Sequence, residues 1–219
     1  MNVNHEFSEE LVQDTNGGLR KVNASLWILV LCYNFISNSN ALSRRKETMT
    51  DSEEIRLAFI DIMVFSDGSI RGGILTTDIE TRPFEFRVTS PIKPTQVQQI
   101  LYGASLKDYV YGELICVPLV KATKEKLSIV LIKENYLIAM RPLVSIPIIL
   151  VNPNGTQIGD GIKPVNLSSH RNFQNELSFA QTILTPVMQK HDILEPFDRL
   201  KLALNEVHRV GLGGGVKGD

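Results

Sequence analysis

The sequence predicts an α/β fold: a mixed sheet that opens with a three-strand antiparallel meander and carries helices packed on it. Three observations lead there. Over residues 56–65 nearly every position is apolar, as in a central strand covered on both faces. Asp67-Gly68 separates that run from a second one, and this dipeptide tolerates the positive φ angles of a tight hairpin. Near the end of the chain Phe197, Leu200, Leu204 and Val207 recur at helical spacing, which predicts a helix over residues 196–210 lying on one face of the sheet.

The remaining elements follow in order. The second strand spans residues 70–77, and a looser turn at 77–81 leads to a third strand, 83–88, in which Phe84, Phe86 and Val88 point one way and Glu85 and Arg87 the other. Pro83 stands at its start, where a missing donor does little harm. Thr95 caps a short helix over 96–102 striped by Val97, Ile100 and Leu101, and Gly103 ends it. Residues 108–116 are rich in aromatic and β-branched side chains and read as strand. Pro118 suits the first turn of a following helix, 118–126, because inside a helix it would cost about 3 kcal/mol. Further strands are expected at 127–132, 136–140 and 146–151, with turns at Glu134-Asn135 and at Asn152-Pro153-Asn154-Gly155. Residues 156–172 read as a long polar loop, and a helix resumes near Phe173.

This divides the 219 residues into an N-terminal extension over 1–50, disordered or processed, a single domain over 51–210 and a flexible glycine-rich tail over 211–219. The apolar run at 26–36 is shorter than the roughly 20 residues that span a bilayer. With Arg20 and Lys21 before it and small residues ending at Ala41, it imitates a secretory signal. The leading reading is an extension ahead of a functional start at Met49, with a signal or anchor and a docking helix as the alternatives, and a membrane partner is expected only if it anchors. The formal net charge of −1 offers no overall positive field, so a nucleic-acid partner would need a local basic patch. Cys32 and Cys116 give neither zinc-ligand spacing nor a disulfide framework, which fits a reducing, cytoplasmic compartment.

The succession strand, strand, strand, helix, strand, helix, strand over residues 56–132 resembles the ribonuclease H-like fold. Phe65-Ser66-Asp67-Gly68-Ser69, followed by Gly72-Gly73, is similar to the first-strand motif of ribonuclease H. The resemblance implies nuclease or related phosphoryl-transfer chemistry with Mg²⁺ or Mn²⁺. Where that family carries an acid on its first helix, this sequence has Gln98 and Gln99.

Asp61 is the most informative single residue. Strand periodicity sets it on the face of Leu57, Phe59, Met63 and Phe65, where a carboxylate must shift its pKa, find a cation or receive hydrogen bonds. A two-residue turn at Asp67-Gly68 would place Ile74 opposite it and Gly72 diagonally, leaving room for a ligand, a metal or a packed helix. Two hard cations need several oxygen ligands, and the acids available to join Asp61 are Glu113 on the expected fourth strand and Asp192 or Asp198 near the last helix. Of these, Asp61 and Glu113 are the candidate metal ligands.

The other polar groups read blandly. His170, His191 and His208 are expected to be solvated or locally hydrogen-bonded, and Cys116 to be a small buried hydrophobe. Arg71, Arg82 and Arg87 could form a basic patch beside Phe84 and Phe86, although alternation turns both phenylalanines toward the core. Since acids and histidines do not cluster along the chain, the sequence points to a non-catalytic protein-binding or assembly module without a cofactor. The alternative is a metal-dependent nuclease that uses Asp61, Glu113 and Asp192 on a nucleic-acid substrate.

Overall fold

The computed structural model describes residues 9–13, 19–23, 54–154 and 164–213. The 26–36 run, Cys32, Met49, the 155–163 connection and residues 214–219 lie outside them. Within the expected N-terminal extension, β1 (Glu9–Gln13) and β2 (Leu19–Asn23) pair antiparallel as a sheet of their own. Among the described residues no helix is long and apolar enough to cross a membrane.

The main sheet is mixed, with strand order β5-β4-β3-β6-β7-β8. The expected meander forms it at one side: β3 (Leu57–Val64), β4 (Ile70–Thr77) and β5 (Pro83–Val88) pair antiparallel in succession. β6 (Ile129–Ile132) then lies parallel to β3, and β7 (Ile148–Pro153) parallel to β6. β3 is therefore central, and alternation along it feeds two cores. Leu57 and Phe59 pack with α4 (Glu176–Met188) and α5 (Glu195–Gly213) on one face. Ala58, Ile60 and Ile62 pack on the other with Ile115, Leu119 and Met140, giving three layers.

Three expectations give way here. Residues 108–116 are helical: α1 (Gln96–Tyr102) is followed by α2 (Leu106–Asp108), a π-helical segment (Tyr109–Cys116) and α3 (Val117–Ala122). The amide of Val117 donates to the carbonyl of Gly112, and this wide turn lies directly before Pro118, whose ring would crowd a tighter one. Burial of Val110, Ile115 and Cys116 against the sheet outweighs the strand propensity of the segment. Residues 136–140 are likewise not a strand but part of a 3-10 helix (Asn135–Leu143), held by Leu137 and Met140 in the core. Inside the expected 156–172 loop, β8 (Val165–Ser169) forms the far edge of the sheet against β7, so Asn152 and Pro153 are paired strand residues rather than a turn.

With these shifts the order strand, strand, strand, helix, strand, short helix, strand is regained over residues 57–153. The fourth strand is β6, not residues 108–116. At the end of the chain, Gly211–Gly213, expected in the tail, continue α5. In β5 the alternation holds from Glu85 on, with Phe86 and Val88 toward the α5-side core and Arg87 buried beside Glu85 on the other face. Phe84, at the irregularity where the pairing of β4 with β5 shifts register, is instead exposed beneath the guanidinium of Arg56. The patch of arginines and phenylalanines is thereby broken up.

Gly72 and Gly73 let helices close on both faces of β4. A Cβ on Gly72 would lie 2.1 Å from Cγ2 of Ile115, and one on Gly73 would lie 2.9 Å from Cδ1 of Leu200. The backbone is as near to each helix as a packed core allows.

Candidate functional site: the buried carboxyl of Asp61

The hairpin after β3 determines what faces Asp61. The expected two-residue turn is replaced by a three-residue loop, Ser66-Asp67-Gly68, closed by a 2.8 Å bond from the Phe65 amide to the Ser69 carbonyl. Gly68 takes the positive φ of 78° that this loop requires. Asp67 accepts from both the amide and the hydroxyl of Ser69, an ordinary turn role. The register shifts by one residue, so Asp61 faces Gly73 and Gly72 faces Ile62. Leu200 and Leu204 of α5 fill the room above Gly73. A packed helix takes that space.

Asp61 is 4% exposed. Its Oδ1 accepts the Ile62 amide at 2.8 Å, while Oδ2 is buried with no hydrogen-bond partner. Burial pushes its pKa above the usual carboxylate range; the Ile62 amide, Lys133 and Lys201 pull the other way, and Glu134 adds to the rise. Lys133 and Glu134 directly follow β6, so the parallel pairing of β3 with β6 brings them near Asp61. Lys133 is also engaged elsewhere, 3.9 Å from Asp198 and 5.0 Å above the ring of Phe197.

The other sequence candidates sit apart. Glu113 is exposed on the π-helical segment rather than on a strand, and lines a cavity of about 110 Å³ with Asp108, Tyr136 and Met140. Asp192 accepts the Leu194 amide at 2.9 Å just before α5. Its neighbour His191 meets Glu80 at 3.0 Å in the β4–β5 turn, at the other end of β4 from the hairpin loop. Cys116 is buried as expected, and burial raises its thiol pKa. Tyr136 borders both regions: its phenol pKa is raised first by burial and then by Glu134, Tyr111, Asp61 and Cys116.

The sequence matches no family model and no curated protein. Among solved structures, the chain is similar to the catalytic domain of human Endonuclease V, with 14% identity, a TM-score of 0.45, and coverage of 74% of this chain and 85% of that one. It is also similar to Endonuclease V of Ciona intestinalis in two complexes with DNA containing an inosine followed by a ribo-adenosine. Identities there are 11% and 13%, with TM-scores of 0.34 and 0.35. Those matches cover 63% of this chain and 58% of the Ciona chain.

The donor set around Asp61 does not fit a pair of hard cations. Such ions need several oxygens, whereas the strongest electrostatic influences on Asp61 after the Ile62 amide are two lysines and a single acid, Glu134, which is itself exposed. Among the described residues no group of three or more His, Cys, Asp or Glu could hold a metal ion. Sequence reasoning missed Lys133, Glu134 and Lys201. The one local signal was a charged pair immediately after the apolar run of β6.

Proposed function

We propose that this chain is a non-catalytic protein-binding module whose docking element is α1. One observation carries the reading: no residue of α1 is buried, and Val97, Ile100, Leu101 and Tyr102 are 63%, 72%, 76% and 40% exposed. The helix is nonetheless well made, since Thr95 and Gln98 form a reciprocal capping box at its start. Folding alone gives no reason to present an apolar stripe on a capped helix, and exposed apolar patches mark interaction sites. The stripe carries no charge, which disfavours a polyanion. Four side chains fall short of the roughly 800 Å² per partner that a standard interface buries. The occupant it suits is a single uncharged apolar segment of another protein.

The test is selection of peptides from a random library on the full chain, with counter-selection on the double variant Ile100→Glu/Leu101→Glu. Because both side chains are exposed, the variant should keep its thermal midpoint. Enriched peptides should carry apolar residues at helical spacing and bind the variant at least tenfold more weakly, a difference of about 1.4 kcal/mol. Peptides that bind both proteins equally would remove α1 from the account.

A second reading, a metal-dependent nuclease, rests on the unpartnered Oδ2 of Asp61 in the central strand alone, since Glu134 adds only one exposed acid. Its assay is incubation of the protein and of Asp61→Asn with Mg²⁺ or Mn²⁺. The first substrate to try is inosine-containing DNA of the kind bound in the Ciona complexes. Cleavage by the wild type but not by a folded Asp61→Asn would establish it.

A further inference from the structure

The hairpin end of the sheet gathers three basic side chains about one acid. Arg71, the second residue of β4, is 6% exposed and lies on the α5 side, across from Met63. Its Nη1 donates to the Thr89 carbonyl at 3.2 Å, and its Nε is buried without a partner. Among the described residues no carboxylate forms an ion pair with it. Asp67 acts on it only from a distance, and burial lowers its pKa. His208 of α5 is 8% exposed and stacks on Phe65, with ring centroids 3.6 Å apart and planes 14° from parallel. Its Nε2 is 3.9 Å from Oδ1 of Asp67, and its Nδ1 is buried without a partner.

Two glycines let the backbone come close against this cluster at its rim. A Cβ on Gly68 would touch Cε of Lys93 at 3.8 Å, and one on exposed Gly211 would come within 3.1 Å of Nη2 of Arg71. Lys93 is itself exposed and acts on Asp67.

A buried guanidinium without a counter-anion is strongly unfavourable. The last carbonyls of α5, near Gly211, offset only a small part of that. Asp67 is already held by both donors of Ser69. Buried donors left over in this way call for a partner such as an ion, a ligand or an ordered water.

We propose that Arg71, Lys93 and His208 form a binding site for a phosphate-bearing ligand at the β3–β4 hairpin. Arg71 supplies a planar fork suited to two phosphate oxygens. Lys93 supplies a mobile charge at the rim, and His208 a further donor from the helix.

The experiment titrates inorganic phosphate into the full chain at constant ionic strength set with chloride, following the thermal midpoint and the ³¹P line width. A parallel arm uses adenosine 5′-monophosphate. The wild type should respond saturably, and Lys93→Ala, at an exposed position that leaves the fold intact, should bind at least tenfold more weakly. Arg71→Gln should abolish binding. Equal affinity for both probes would identify free phosphate as the ligand, and tighter binding of the nucleotide would identify a nucleotide phosphate. No saturable response, or an unchanged response in Lys93→Ala, would overturn the site.

Discussion

Glu176→Gln is expected to lower the stability of the fold by about 3–5 kcal/mol. Glu176 and Arg141 are 8% and 7% exposed, and both carboxylate oxygens accept from the guanidinium, Oε1 and Oε2 each lying 2.9 Å from Nε. The bridge fastens the 3-10 helix to the first turn of α4, where the helix dipole also favours an acid. Arg141 further donates to the Val144 carbonyl at 2.6 Å and sits 4.0 Å from the ring centre of Phe173. Removing the acid leaves that arginine buried and unpaired, which is why the loss exceeds that of an exposed bridge. Urea unfolding measures it. The double variant Glu176→Leu/Arg141→Met should be less damaged than either charge-breaking single variant, since no charge is stranded.

Phe197→Ala should cost a similar amount, about 3–5 kcal/mol, as for other fully buried aromatic truncations. Phe197 is 0% exposed and meets Phe59 edge to face at 5.2 Å and 87°, pinning the start of α5 to the central strand. Loss of the ring loosens the helix whose Leu200 and Leu204 cover Gly73, opposite Asp61. Hydrogen exchange should therefore accelerate along α5 and in β3 together. Acceleration confined to α5 would show that the helix does not seal the strand.

The meander and α5 were legible in the sequence because their signals are local: alternation, the Asp67-Gly68 turn, and apolar residues at helical spacing. What failed was set by distant partners. Residues 108–116 have strand-like side chains, but the sheet they cover demands a helix, and Pro118 tells only where a wide turn must fall. β8 is a short, polar strand, recognisable chiefly through β7 beside it. At the site, the burial of Asp61 and the need for a glycine beside it could be read from alternation. Which glycine could not, because one extra loop residue shifts the register. Lys133 and Glu134 reach Asp61 only through parallel pairing of β3 with β6, and Arg141 finds Glu176 only once α4 docks. No spacing rule connects such positions.

Asp61 is a buried carboxyl sealed by α5. Its folded pKa is raised, so the folded chain keeps a proton that the unfolded chain releases above an ordinary value of about 3.9. Stability therefore falls as pH rises from near 4 until the folded pKa is passed, and Asp61→Asn, with no proton to lose, escapes this fall. The direct measurement is the thermal midpoint of both proteins across that pH range, with and without Mn²⁺. The variant should gain on the wild type as pH rises, and Mn²⁺ should shift neither midpoint. A wild type stabilised by Mn²⁺ at neutral pH, with an Asp61→Asn variant that does not respond, would contradict it.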